Sequence, residues 1–320
     1  MLNTFSKILL LLLLPVQVCF AQLVPIDEAE LSEMTGQAFV NFDQTSNGDL
    51  DFTKISFGLD VETSLNADLM ELGKYDRAGE AAGSADIRIS DFALGEIDDN
   101  GNIVPFEISD PFIELAYEDD NGTQNLVGVR LGFGGALGKL SGNIESLTGN
   151  VDVKILGRAE PVRDAAGWFL AGIMGIAGIG DDRMLTADAE LVDINTGSAD
   201  TIRASAVGML DGDQLFCESG SCIIDWFSSN NCKMLGIATC FPLANFKSLD
   251  IGNNGQKSEG LFLSFQTKEI TWIDGNTSTP TVSGAFMNIP DGGIIVDFEQ
   301  AFNGTARART KYIDPYFGEF

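Results

Sequence analysis

The sequence predicts an all-β protein of multi-stranded antiparallel sheets, a sandwich or an elongated, curved sheet, with a short N-terminal helix and a disulfide-stapled insert. Three observations carry that expectation. Apolar residues recur with a period of two along much of the chain. Asn-Gly or Asp-Gly pairs begin at Asn47, Asn100, Asn121, Asp211, Asn254, Asp274, Asp291 and Asn303, and such pairs accept the positive φ of tight hairpin turns. Four of the five cysteines, Cys217, Cys222, Cys232 and Cys240, fall in one short window.

Residues 1–21 read as a secretory signal peptide. Lys7 is their only charge, Ile8–Leu14 is wholly apolar, and Cys19-Phe20-Ala21 places small residues at the cleavage positions. Val18 stands where a lipoprotein signal needs Gly, Ala or Ser, so cleavage is expected after Ala21. The apolar run falls short of the ~20 residues that span a bilayer. Residues 22–37 follow as a motif with a helix at about Glu28–Met34, where Asp27 caps, Glu30 completes a capping box and Gly36 closes the C-terminus. Its apolar residues Leu23, Ile26, Leu31 and Met34 are candidate partner-binding positions.

The body, 38–320, supplies some fourteen strands at that spacing. Val127, Val129, Leu131 and Phe133 alternate with Gly128, Arg130 and Gly132; Val151, Val153 and Ile155 alternate with Asp152 and Lys154; Leu261, Leu263 and Phe265 alternate with Phe262, Ser264 and Gln266. Each stretch is expected to bury one face and to leave the other wet or covered by a neighbour. A soft boundary falls near 157–167. After it the apolar stretch Trp168–Gly180 repeats glycine and isoleucine every three residues. It reads either as a membrane wedge or docking segment, or as a tightly packed core segment in which glycine permits close approach. The second is the plainer expectation. The Cys-rich insert, 217–240, allows three disulfide pairings. Two local loops, Cys217–Cys222 with Cys232–Cys240, are favoured over the nested Cys217–Cys240 with Cys222–Cys232. Each bridge would stabilise by about 2–4 kcal/mol in an oxidising compartment.

Composition excludes several chemistries. With no histidine, imidazole catalysis and histidine metal sites are absent. A formal charge of −28, from 19 Lys+Arg against 47 Asp+Glu, disfavours nucleic acid and anionic lipid. No nucleophile elbow, Walker loop or zincin signature occurs, so no enzyme and no cofactor are expected. Asp43, Asn47, Asp49 and Asp51 imitate part of a calcium loop with glycine at its sixth position, but Lys54 replaces the bidentate glutamate at the twelfth. An acidic turn between strands is the expectation there, and again at the echoing DDNGN from Asp98 and DDNGT from Asp119. An outer-membrane barrel would wear Tyr and Trp girdles, whereas 22 Phe stand beside 4 Tyr and 3 Trp.

The block LVPIDEAELSEMTGQA, Leu23–Ala38, resembles the start of a group of exported Gram-negative envelope proteins of the pilus-system FilA kind. ESLTGNVDVKI, Glu145–Ile155, and YIDPYFG, Tyr312–Gly318, are similar to that group too. The resemblance implies a surface-appendage or envelope role and carries no catalytic residue. The resulting expectation is an exported, non-catalytic surface protein, a structural or adhesive pilus-associated component. Its place would be the periplasm, the outer-membrane surface or an appendage. Its partners would be other envelope proteins, bound by strand addition. The alternative is a carrier of lipid or hydrocarbon, with a Phe-lined sheet as trough and Trp168–Gly180 as its membrane contact; the barrel stands third.

Overall fold

The computed structural model describes residues 40–220, 222–275, 277–314 and 318–319. The signal peptide, the Glu28–Met34 helix and Leu23, Ile26, Leu31 and Met34 lie outside them. The strands used below are β1 (Val40–Asn47), β2 (Leu50–Phe57), β3 (Asp60–Thr63), β4 (Leu65–Lys74), β5 (Ala85–Leu94), β6 (Phe106–Asp120), β7 (Thr123–Leu147) and β8 (Gly149–Arg158). After helix α1 (Glu160–Ile176) come β9 (Met184–Val192), β10 (Ala206–Gly208), β11 (Cys240–Pro242), β12 (Ser248–Ile251), β13 (Phe262–Gln266), β14 (Ile270–Asp274), β15 (Thr277–Thr281), β16 (Gly284–Val296) and helix α2 (Phe298–Asn303). The fold is all-β, as its period-two pattern requires.

One sheet organises the body, running β1-β2-β6-β7-β12-β16-β8-β9-β10-β11. Its axis is the long β7. One edge of β7 takes β6 and then β5, while the other takes β13 and then β12, which pass it on to β16. Nearly all pairings are antiparallel. The exception is β8 with β16, which run parallel. Among the described residues the two end strands, β1 and β11, do not pair with each other, so the sheet as described is open at both ends.

The turn residues do several jobs. Asn47-Gly48 joins β1 to β2, Asn121-Gly122 joins β6 to β7, and Asp274-Gly275 joins β14 to β15; Asn100-Gly101 turns a short ribbon. Asn254-Gly255, both at positive φ, makes a tight reversal between Asn253 and Gln256, which exchange both backbone hydrogen bonds. The other three pairs depart from the hairpin expectation. Asp291-Gly292 lies inside β16, where the register against β8 jumps from Val151–Ile289 to Val153–Ile294 and the intervening residues bulge out. Asn303-Gly304 ends α2, with Gly304 at φ 78°. Asp211-Gly212 makes an isolated turn.

The main core gathers Ile87 and Ile89 of β5, Val151, Val153 and Ile155 of β8, the apolar face of β9, and Ile294 and Val296 of β16. Here the alternation reads as expected. On β7 and β13 both faces are used. Phe133, Leu261, Leu263 and Phe265 pack half-buried against the main core and Leu131 is exposed, while the opposite set, Arg130, Gly128 and Gly132 with Phe262, Ser264 and Gln266, is the more deeply buried. The reason is the β14–β15 hairpin, which folds over the glycine-bearing face and forms a second core from Phe52, Ala116, Val127, Phe262, Ile270, Trp272 and Phe286. Glycine makes the space. A Cβ on Gly132 would lie 2.1 Å from the Phe112 ring, and one on Gly128 would lie 2.5 Å from Ile270.

Candidate functional site

The face of the sheet opposite Arg130 carries an apolar row that is covered at one end and exposed at the other. Residues directly opposite on neighbouring strands are Phe42, Ile55, Ile113, Leu131, Leu263 and Met287, in that order from β1 to β16. Side chains in such register share one face. Met287 and Leu263 pack against the main core at one end; at the other, Phe42 is 66 % exposed. Beyond it, among the described residues, nothing pairs with β1, every residue of which is exposed. The chain thus offers an open strand edge beside an apolar face. Edges of this kind accept further strands, because a row of backbone N–H and C=O groups is unpaired.

The calcium candidates sit in this same hairpin. Pairing of Asn47 with Leu50 and of Ser46 with Asp51 makes residues 43–51 a tight ladder, not a wrapped loop. The Ser46 hydroxyl donates to Asp51 at 2.6 Å and the Asn41 amide donates to Asp43. Asp43 is in register with Lys54 of β2, well along the ladder from the turn, so the structure does not bring Asp43, Asn47, Asp49 and Asp51 together. Among the described residues, the one grouping with metal-ligand spacing is Cys217, Cys222 and Asp225, and its sulfurs are consumed in a disulfide.

A second surface forms at the end of β8 and β9. The glycine-rich segment reaches the core only through Met174, Ile179 and, in part, Leu170. Most of it is the outer half of α1, and the exposure of its other apolar residues corrects the plainer expectation. Pro161 fits the first turn, where its missing N–H leaves no bond unmade. Val162 and Met174 dock inward, followed by Ile179. Gly167, at φ 73°, kinks the helix, and beyond it Trp168 is 88 % exposed, Phe169 66 %, Ile173 43 % and Ile176 92 %. Trp168 and Phe169 meet edge to face at 5.8 Å. The flanking cations are neutralised locally: Arg163 pairs with Asp181, and Arg158 with Asp182 at 3.3 Å.

The Cys-rich insert leaves the same strand ends. Phe216 and Cys217 pair with Thr186 and Leu185 of β9, and the Arg183 guanidinium donates to the Ser219 carbonyl. The disulfides are Cys217–Cys222 and Cys232–Cys240, the two local loops. Asp225 fixes the first loop by accepting from the N–H groups of Cys217 and Cys222. The insert exposes Phe216, Ile223, Phe227 and Trp226, the last 78 %. Bridges of this kind belong to oxidising, exported compartments. No helix among the described residues is long and apolar enough to cross a membrane.

Three charge clusters, two buried and one half-buried, carry no local mark of their partners in the sequence. Arg130, fully buried, donates from Nε to Glu114 at 2.8 Å and from Nη1 to Asp274 at 2.5 Å. The rings of Phe112, Phe262 and Trp272 stand 5.0–5.1 Å from its guanidinium carbon. Burial pushes the Glu114 carboxyl up, against the pull of Arg130. Arg203 donates to Asp86 at 3.0 Å, to the Ser84 hydroxyl and to the Tyr75 carbonyl, and Asp86 also accepts from the Ala285 N–H. Both arginines are sealed from solvent, so they tie strands together and touch no solute. The third cluster is acidic. Asp152 and Glu190 lie one step beyond the paired Val153 and Ala189. Burial raises both carboxyls, and neighbouring acids (Asp291 and Asp188 for the first, Asp152, Asp213 and Asp188 for the second) push the same way. The Asn150 amide, donating to Asp152, opposes this in part.

Within the core, Ile89, Leu140, Ile144, Leu147 and Val151 help to line a cavity of about 30 Å³, room for one water and not for an acyl chain. No protein-family model matches the chain, and neither a curated protein nor a solved structure matches it.

Proposed function

We propose that the chain is an exported, non-catalytic envelope component, structural or adhesive and associated with a pilus-type appendage, which joins its partners by strand addition at β1. The observation that carries this reading is the open β1 edge with Phe42 exposed at the head of the apolar row. An incoming strand would satisfy the unpaired backbone of β1 and place its own alternate side chains against Phe42 and Val40. The FilA-like block at Leu23–Ala38, the signal-peptide pattern of residues 1–21 and the two disulfides support export and an envelope address. The test is Phe42→Lys, which sets a charge on the edge in the way natural edge strands resist pairing. The variant is expected to fold with unchanged circular dichroism and to vanish from sheared surface filaments that contain the wild type. Equal yields of both in the filament fraction would reject strand addition at β1.

The carrier reading has one observation in its favour, the apolar row from Phe42 to Met287, since the interior cavity holds no chain. Lipid found by mass spectrometry in the purified protein, and lost in Leu131→Ser, would favour it over the appendage.

A further inference from the structure

The outer half of α1 breaks the rule for a surface helix. Such a helix turns charged and polar residues to water, yet from Ala165 to Gly180 there is no polar side chain except the Trp168 indole, and Trp168, Phe169, Ile173 and Ile176 are exposed. We propose that this face is a dock for the interface of a zwitterionic phospholipid bilayer, into which Trp168, Phe169, Ile173 and Ile176 insert while the rest of the protein stays in water.

Four arguments select this occupant. The first is area. The four side chains offer on the order of 600 Å² of apolar surface, short of the ~800 Å² per partner that a stable dimer buries, so a second copy seated here would be poorly held. The second is hydrogen bonding. A helical backbone satisfies its own N–H and C=O groups, so this face can enter hydrocarbon without stranding a polar group. The third is aromatic placement. Of three tryptophans, Trp272 is buried, and the two exposed ones, Trp168 and Trp226, belong to elements rooted at the same strand ends. Indoles favour the boundary between headgroup and hydrocarbon. The fourth is charge. Arg158 and Arg163 are already paired with Asp182 and Asp181, and the Arg183 guanidinium donates to the Ser219 carbonyl, so the cations beside the patch are engaged within the protein rather than presented to anionic headgroups. Exposed Asp164 instead complements the ammonium of choline or ethanolamine. At −28 overall the protein is repelled by an anionic surface. The helix is too short to cross, so it lies in the interface.

The experiment is flotation of the full chain with phosphatidylcholine vesicles. The wild type is compared with Trp168→Ser/Phe169→Ser/Ile176→Ser, and a Phe42→Lys variant serves as control. The N-terminal segment is common to all three, so their difference isolates α1. The wild type and Phe42→Lys are expected to float alike, and the triple variant at least about tenfold less. Wild type mixed with phosphatidylglycerol vesicles is expected to float less than with phosphatidylcholine. In a Trp226→Phe background the indole emission should shift to the blue on adding phosphatidylcholine, reporting Trp168 leaving water, and single Ile176→Ser supplies a milder variant should the triple fail to fold. Equal flotation of wild type and α1 variants, or stronger binding to phosphatidylglycerol, would overturn the proposal. So would a concentration-dependent dimer that the triple variant abolishes without any flotation, which would mark a second copy as the occupant. The Phe42→Lys control separates this proposal from strand addition at β1, since either can fail alone.

Discussion

Arg130 shows how a charged residue comes to lie on the more deeply buried face of a strand. Its period-two neighbourhood was legible, but which side of β7 is buried was not, because arginine and glycine both read as outward residues. What buries them comes from far along the chain. Glu114 lies on β6 and Asp274 at the end of β14, and neither is identifiable as a partner from spacing. The visible hint was an arginine set between two glycines in an apolar strand, a pattern that leaves space for rings on either side of the guanidinium. Removing one member of a buried pair strands the other. Arg130→Met should therefore lower stability by about 3–5 kcal/mol in urea unfolding, leaving Glu114 uncompensated against the Trp272 hairpin. Glu114→Gln, which keeps an acceptor for Nε, should be milder. If Arg130→Met unfolds at the wild-type midpoint, the second core does not depend on this pair.

Elements were read best where the signal was local. The turns at Asn47, Asn121 and Asp274 join neighbouring strands as their chemistry requires, and the two short disulfide loops follow from the clustering of the cysteines. Helix α2 was missed although its mark was present: Asp297 accepts from the Gln300 N–H while the Gln300 side chain accepts from the Asp297 N–H, the capping box already recognised at Asp27. In α1 the three-residue glycine repeat masked the helical period, and exposure of an apolar face is set by what the fold leaves uncovered. The glycines of the two elements should behave oppositely. Gly132→Ala forces a methyl into the Phe112 ring and should destabilise by about 1–3 kcal/mol. Gly172→Ala meets open space on a helix and should be neutral or stabilising by up to about 1 kcal/mol. Thermal unfolding of the two variants checks both, and a stable Gly132→Ala would mean that the hairpin can shift without loss.

At the scale of the whole molecule, acidity and topology govern behaviour. Burial holds the carboxyls of Asp152, Glu190, Glu96 and Glu114 above their ordinary range. The folded chain then binds more protons than the unfolded one between the ordinary carboxylate pKa of about 4.3 and those raised values, so stability falls as pH rises through that window. Asp98, held low by hydrogen bonds from Asn102 and Asn100, and Glu71, held low chiefly by Lys74, act in the opposite sense, and theirs is lost only in stronger acid. The urea midpoint should therefore fall as pH rises above the ordinary carboxylate range toward neutrality. Glu190→Gln should flatten that fall and raise stability near neutrality by about 0.2–1 kcal/mol, the scale of a like-charge cross-strand pair. A midpoint that climbs with pH would contradict this. The class of fold was legible from periodicity, whereas strand order was not, since nothing local announces that β8 and β16 lie side by side. That parallel pairing also sets a timetable. β16 follows β8 only after α1, the disulfide insert and β9 to β15, so in a chain delivered N-terminus first Val151, Val153 and Ile155 keep one edge unpaired until Met287–Val296 arrives. The main sheet is in this sense held open until β16 docks, and that strand acts as its latch.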